Sequence, residues 1–514
     1  MHLKWLCMIM NKCFLVAISL LLCFSSCGCS QKERELPEIE PEVKPFTRYN
    51  ADLSFKSTLL NRNVKYDILL PADYQENPEK RYPVMFCFHG LGDNNNSWNG
   101  QYMSIENKIK GLEHFGLESM IYVFPYGWNT YWCDRYDGQF PYMTMLATEL
   151  VPLIDEKYRT IANREHRGVI GYSMGGFGAM VTAMKHPELF SMSAPLSISF
   201  RTDEQYMSES QSGWDNQWGS VFGGVGQSGE GRLTAYYKAH CPLHQFTAEN
   251  KDKYSSVHWF ITCGDNEAQL LIPNDDLHTL MRENGYAHEY RVGDGGHSSS
   301  YWKSALDEIL PYFSFLMAGG STWDKNLKTP NVPEGFNLNE DGVAPSENYS
   351  ASSAEGVALY VAYKNRDDAD IKDALAILQR GSSAKKFVLI PCNLAKKSLV
   401  EWYNYFHDIY PAQSVFALGI GDAADEVMEA QSLFGALFFE NAHITTAIKI
   451  DQQKFYFIGQ DDDNPNYKTS NALYKACKLG DTSFEYRCRN TVTPERINFL
   501  TGMEYVRSEF VNHL

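Results

Sequence analysis

Ser173 lies in VIGYSMGGFGAM (Val169–Met180), a Gly-x-Ser-x-Gly pentapeptide between an apolar, β-branched run and a run of small residues. The pattern arises by chance on the order of 0.1–0.2 times in a chain of this length, so its context weighs more than its letters. A strand turning sharply into a helix here would expose the serine hydroxyl at a helix N-terminus, where backbone N–H groups favour a developing oxyanion. Such a hydroxyl attacks an ester only when a base takes its proton and an acid orients that base. His297, in GDGGHSSSYW, stands in a glycine-rich loop after a strand-like segment and is the candidate base, whereas His278 and His288 read as packing or surface residues. The loop CGDNEAQ offers two candidate acids, Asp265 and Glu267.

These residues need a scaffold, and the segments around them supply one. YPVMFCFHG, MIYVFPYG, HRGVIGYS and VHWFITCGDNE are continuous apolar runs, as expected of strands buried on both faces. Between them MTMLATELVPLIDEKY, GGFGAMVTAMKHPELF and YWKSALDEILPYFSFL carry helical periodicity. The alternation predicts an α/β fold with a mainly parallel sheet, the nucleophile, acid and base each following a strand.

A chain of 514 residues exceeds what one core usually organises, so two domains are expected. With 44% apolar and 21% charged residues it reads as globular, and a formal charge of −17 excludes a nucleic-acid backbone as partner. The run CFLVAISLLLCFSSC has the length of a signal-peptide core. It ends in FSSCGCS, which resembles a lipobox with Cys27, or else Cys29, as the lipidated residue; an ordinary cleaved signal is the alternative. The expected organisation is a signal peptide over 1–26, a charged tether over 27–45, a catalytic domain over 46–317, a linker rich in Gly, Pro and Ser over 318–355, and a second α/β domain over 356–514. The cysteines beyond the leader have no metal-ligand spacing, and neither HExxH nor CxxC occurs, so no metal and no cofactor is expected. Cys87 and Cys263 read as small buried residues; a disulfide among the others is left open.

Taken together, FHGLGD, GYSMGGFGA, CGDNE and GGHSSSYW resemble carbohydrate esterase family 1, with its feruloyl esterases, the esterase D group and the mycolyltransferases, over residues 46 to 317. The resemblance implies an α/β-hydrolase fold and a Ser173–His297–acid triad. It favours Glu267, thirty positions before His297, over Asp265 at thirty-two, although the family more often carries aspartate. It also implies an oxyanion hole from the Leu91 and Met174 amides, and gives His89 a loop-shaping role. Trp98, Trp128, Tyr131 and Trp132 fall in loops on the sheet's ligand-binding side and are expected to meet a phenolic acid or sugar ring. The segment SFRTDEQYMSESQSGWDNQWGSVFGGVGQSGEG is expected to cover the acyl pocket.

The last third repeats the first in outline. LHTLMRENGYAHEYR (Leu277–Arg291) parallels LYKACKLGDTSFEYR (Leu473–Arg487), and VIGYSMGGFGAM parallels ALGIGDAADEVM, with Gly421 where Ser173 stands and roughly Thr493 where His297 stands. The second domain therefore reads as a degenerate, non-catalytic copy. The function expected is an exported, lipid-anchored serine esterase that releases hydroxycinnamoyl groups from acylated plant polysaccharide. Acetyl-xylan or siderophore trilactone hydrolysis are variants, and a glycan-binding surface lipoprotein without turnover is the alternative of another class.

Overall fold

The computed structural model describes residues 46–514 apart from 102, 268, 321–329, 354, 381–384 and 492–493. The leader, the tether and Cys27 therefore lie outside the described residues, as does Thr493.

The described chain builds fifteen strands: β1 (Tyr49–Ser57), β2 (Arg62–Leu69), β3 (Val84–Phe88), β4 (Ile121–Pro125), β5 (Arg167–Tyr172), β6 (Met192–Leu196), β7 (His258–Gly264), β8 (Glu289–Gly293), β9 (Ala344–Pro345), β10 (Val357–Tyr363), β11 (Phe387–Asn393), β12 (Ser414–Ile420), β13 (Ala436–Glu440), β14 (Phe455–Asp461) and β15 (Phe484–Arg489). Their order in one continuous sheet is β1-β2-β4-β3-β5-β6-β7-β8-β15-β14-β13-β12-β10-β11-β9. From β4 to β8 neighbouring strands run parallel, and β3, β5 and β6 are buried throughout, which is why their sequences are unbroken apolar runs. β1 and β2 add an antiparallel edge.

Five helices matter for the site: α1 (Met174–Lys185), α2 (Leu271–Glu283), α3 (Ser299–Met317), α4 (Tyr467–Leu479) and α5 (Glu495–Asn512). All of α1 except its final lysine is buried, because its small residues let it lie close against the sheet. On the opposite face α3 packs Leu306, Ile309 and Phe313 into a second apolar layer with Met85, Ile170 and Phe260.

The two halves do not form separate sheets. β8 and β15 meet edge to edge, antiparallel, with Val292 opposite Cys488. Each half would otherwise leave an unpaired ladder, and pairing them satisfies both. The stretch expected as linker contributes β9, which caps the far edge against β11. The order β11-β10-β12-β13-β14-β15 repeats β4-β3-β5-β6-β7-β8 strand for strand. The seven described cysteines are free and buried. Among the described residues no helix is long and apolar enough to cross a membrane.

Candidate active site

Ser173 leaves the end of β5 with φ 58° and ψ −121°, a conformation that non-glycine residues rarely hold. The local sequence enforces it. A Cβ on Gly171 would collide with the Gly175 carbonyl, and one on Gly175 would collide with the Phe88 carbonyl, so this turn closes only with glycine on both sides. Hydrogen bonds from Ser173 N to Leu196 O (2.9 Å) and from Ser199 N to Ser173 O (3.1 Å) fasten the turn to the end of β6.

At this turn the three chemistry-bearing side chains meet. His297 Nε2 lies 2.8 Å from Ser173 Oγ, and His297 Nδ1 lies 2.7 Å from Glu267 Oε2. Glu267 is fully buried, and its other oxygen accepts from the Ser197 hydroxyl and the Gly264 amide (3.4 Å). Trp302 Nε1 donates to Ser197 Oγ at 2.8 Å, and the His297 ring stands edge-on to the Trp302 ring at 5.1 Å. Carboxylate, imidazole and hydroxyl thus form one chain of hydrogen bonds. It holds the imidazole with Nδ1–H toward the carboxylate and Nε2 free to take the serine proton.

Asp265 does not join this chain. Its carboxylate turns to the opposite side of the loop, accepting from Arg487 and from the Tyr486 amide (3.2 Å) on one oxygen and from the Gly295 amide (3.1 Å) on the other. Of the two acids left open by the sequence, Glu267 is the one the structure brings to His297.

The Met174 amide is the first of α1, and first-turn amides have no acceptor within their helix. Leu91 lines the same cleft, half-exposed. His89 accepts from the Gly127 amide on Nε2 (2.9 Å) and directs Nδ1 at the Gly90 carbonyl (2.8 Å). Both ring nitrogens are engaged, and burial pushes its pKa down to about 4, so it stays neutral and braces the loop.

None of the four aromatics expected at the substrate lines the Ser173 cleft, and burial corrects the expectation for Trp98, Tyr131 and Trp132. Tyr131 and Trp132 are fully buried, and Trp132 stacks on Phe88 at 3.8 Å. Trp98 is buried against Tyr172. Trp128 borders a separate pocket with Arg62 and Phe140. An aromatic-rich loop buries its rings wherever neighbouring helices offer cover, and here α1 and the 199–231 segment do so. The cleft holding Ser173 has a volume of about 530 Å³ and is lined by Leu91, Tyr172, Ser199, Arg201, Gln217 and Trp302 among others. Ser199, Arg201 and Gln217 come from the segment expected to cover the acyl pocket. Arg201 has its guanidinium 5.5 Å from the Trp218 ring, and its buried Nε has no hydrogen-bond partner among the described residues. A larger cavity of about 770 Å³ runs between α3 and α5 and contains none of the three triad residues. Sequence reasoning missed Ser197, Arg201 and Trp302; Trp302 had a local signal, five positions after His297 in the quoted motif, and Arg201 only that of the segment it lies in.

The carboxylates of Asp265, Asp294 and Glu485 converge within 4.8 Å. Arg487 reaches all three, so a cation already occupies the centre of that group.

A family model described as a putative esterase matches residues 57–313. An esterase of Mycobacterium tuberculosis (strain H37Rv) is 26% identical over 264 residues, 47% of this chain and 54% of that protein. An endo-1,4-beta-xylanase/feruloyl esterase of Xylanibacter ruminicola is 23% identical over 290 residues, 53% of this chain and 33% of that protein. The chain therefore spans about half or less of the length of these curated relatives. A solved structure named as a ferulic acid esterase is 28% identical, covering 52% of this chain and all of that one, with a TM-score of 0.45.

Proposed function

The chain belongs to this family of esterases, and from that premise we propose that it is a serine carboxylester hydrolase acting on hydroxycinnamoyl esters of plant cell-wall polysaccharide through Ser173, His297 and Glu267. The observation that carries the reading is the unbroken Glu267–His297–Ser173 hydrogen-bond chain at a strained turn. In the reaction His297 Nε2 takes the Ser173 proton as Oγ attacks the ester carbonyl, and Glu267 stabilises the imidazolium that forms. The Met174 and Leu91 amides receive the oxyanion, His297 returns the proton to the leaving alcohol, and a water activated by the same imidazole releases the acid.

Two things favour an aromatic acyl group over an acetyl group. The cleft of about 530 Å³ leaves room for more than an acetyl group, and one sequence relative is named endo-1,4-beta-xylanase/feruloyl esterase. The leader Cys13–Cys27 supports export, with lipid anchoring at Cys27. The strand-for-strand repeat supports reading residues 356–514 as a non-catalytic copy of the fold.

Hydrolysis of methyl ferulate beside an acetylated xylo-oligosaccharide, with Ser173→Ala as blank, tests the assignment. Faster release from the ferulate, lost in the variant, is the expected result. Release from the acetylated sugar alone overturns the acyl assignment, and hydrolysis that persists in the variant overturns the site.

A further inference from the structure

We infer that the C-terminal half is a built-in positioning element for the triad: Arg487 acting through Asp265, and Lys478 acting on the Glu267 carbonyl, hold the acid-bearing and base-bearing loops in register. The inference rests on the triad reading above and adds to it a role for the other half of the chain.

Asp265 lies two residues before Glu267, and Gly295 two residues before His297. The Asp265 amide donates to Gly293 O (3.0 Å), the Gly295 amide donates to the Asp265 carboxylate (3.1 Å), and the Asn266 amide donates to Gly295 O (3.0 Å). The two loops are thus sewn together, with Asp265 as the knot. From across the seam Arg487, itself buried, pairs with the Asp265 carboxylate, the Tyr486 amide adds a second donor, and Lys478 Nζ donates to Glu267 O at 3.2 Å. Glu485 (2.6 Å) and Glu509 (3.4 Å) hold Arg487 in turn. A buried carboxylate that loses its cation must turn toward water or take up a proton, and either change loosens the bond to Gly295. Displacing a catalytic group by about 1 Å costs on the order of 100-fold in rate.

The seam supplies its own control. On the other side of the junction Arg291 pairs with Asp462 at 2.8 Å, held by Glu289 and Glu308. Chemistry and burial match, but the Asp462 loop carries neither nucleophile, acid nor base of the triad. Any effect that arises merely from weakening the seam must appear equally on this side.

The test uses the full chain and the variants Arg487→Met, Arg487→Lys, Lys478→Met and Asp462→Asn, reading kcat and KM on methyl ferulate, Tm, and the rate of Ser173 labelling by a fluorophosphonate. The expected result is a kcat fall of about 10- to 100-fold in Arg487→Met with KM little changed, partial recovery in Arg487→Lys, and a smaller kcat fall in Lys478→Met. Asp462→Asn is expected to lower Tm while keeping the parent kcat. Parent-like kcat and labelling in folded Arg487→Met, or an equal kcat loss in Asp462→Asn, overturns the inference. If Arg487→Met does not fold, Arg487→Lys and Lys478→Met decide: parent-like kcat and labelling in both overturns it, and a graded loss supports it. A parent that is labelled but leaves methyl ferulate intact loses only its substrate assignment, and labelling rates carry the test. A parent that is neither labelled nor active removes the esterase site and this inference together.

Discussion

The turn after β5 and the turn after β12 are the same piece of backbone with different contents. Ser173 sits at φ 58° and Gly421 at φ 55°; one strand on, Ser197 and Asn441 both sit at φ 48°. Ser199 N donates to Ser173 O at 3.1 Å, and His443 N donates to Gly421 O at 3.0 Å. The elbow thus belongs to the strand–turn–helix geometry rather than to catalysis. A glycine holds that conformation without strain, whereas serine pays for it. The strain is kept only in the half where a hydroxyl has a partner. The space beyond differs as well. Where the register of the first half places Leu196, Gly264 and Gly293, the second half places Glu440, Asp461 and Arg489, a buried ion cluster with Arg489 to Asp461 at 2.7 Å. In the first half Gly293 faces the Tyr301 ring and Gly264 faces the Gly295 carbonyl; in the second half the corresponding positions carry the charge pairs.

The largest effect that sharpens this contrast is Ser173→Ala, expected to lower kcat by about four to six orders of magnitude. Adding Gly421→Ser to that variant is expected to restore neither hydrolysis nor fluorophosphonate labelling. Labelling at position 421 would break the comparison, by showing that the second half still activates a hydroxyl. Next in size, Glu267→Gln is expected to lower kcat by about 10²–10⁴, against a smaller loss and a larger drop in Tm for Asp265→Asn. The reverse ranking would return the acid to Asp265. Within the first half, Trp132→Ala is expected to destabilise the fold by about 3–5 kcal/mol while KM for methyl ferulate stays at the parent value. A raised KM with unchanged Tm would make Trp132 a substrate contact after all.

The smallest effect concerns the seam and its pH dependence. Asp275 on α2 is buried, accepts from Tyr486 Oη (3.0 Å) and from Asn471 on α4, and burial raises its pKa from 3.8 to about 7. Its folded pKa lies above its unfolded value, so its contribution is present below pH 3.8 and is lost as pH rises through about 7. The Tm of the parent relative to Asp275→Asn is therefore expected to fall between pH 4 and 7 and to level off above that. A constant difference across this range would mean that the seam tolerates the ionised carboxylate.

Much of the site was legible because it is written in short stretches. The glycines around Ser173 and the loop glycines before His297 act on their own neighbours, and unbroken apolar runs report strands buried on both faces. The aromatic loop misled because ring-rich sequence reads alike whether its rings face substrate or core; the cover supplied by α1 and the 199–231 segment comes from other parts of the chain. Ser197 gave no local sign, and Arg201 only that of the segment it lies in, since a lone serine or arginine becomes informative only beside the carboxylate or cleft it faces.

By itself the sequence pointed to Ser173 and its strand–turn–helix, to the loop that carries His297, and to the strand–helix rhythm of both halves, because covalent neighbours set backbone conformation and spacing. It narrowed the acid to Asp265 and Glu267 and stopped there. Tertiary structure brings only Glu267 to His297: the two carboxylates leave opposite sides of one loop, and the partner that claims Asp265, Arg487, stands more than two hundred residues away along the chain. Only the pairing of β8 with β15 brings that cation to the loop, which leaves Glu267 facing His297.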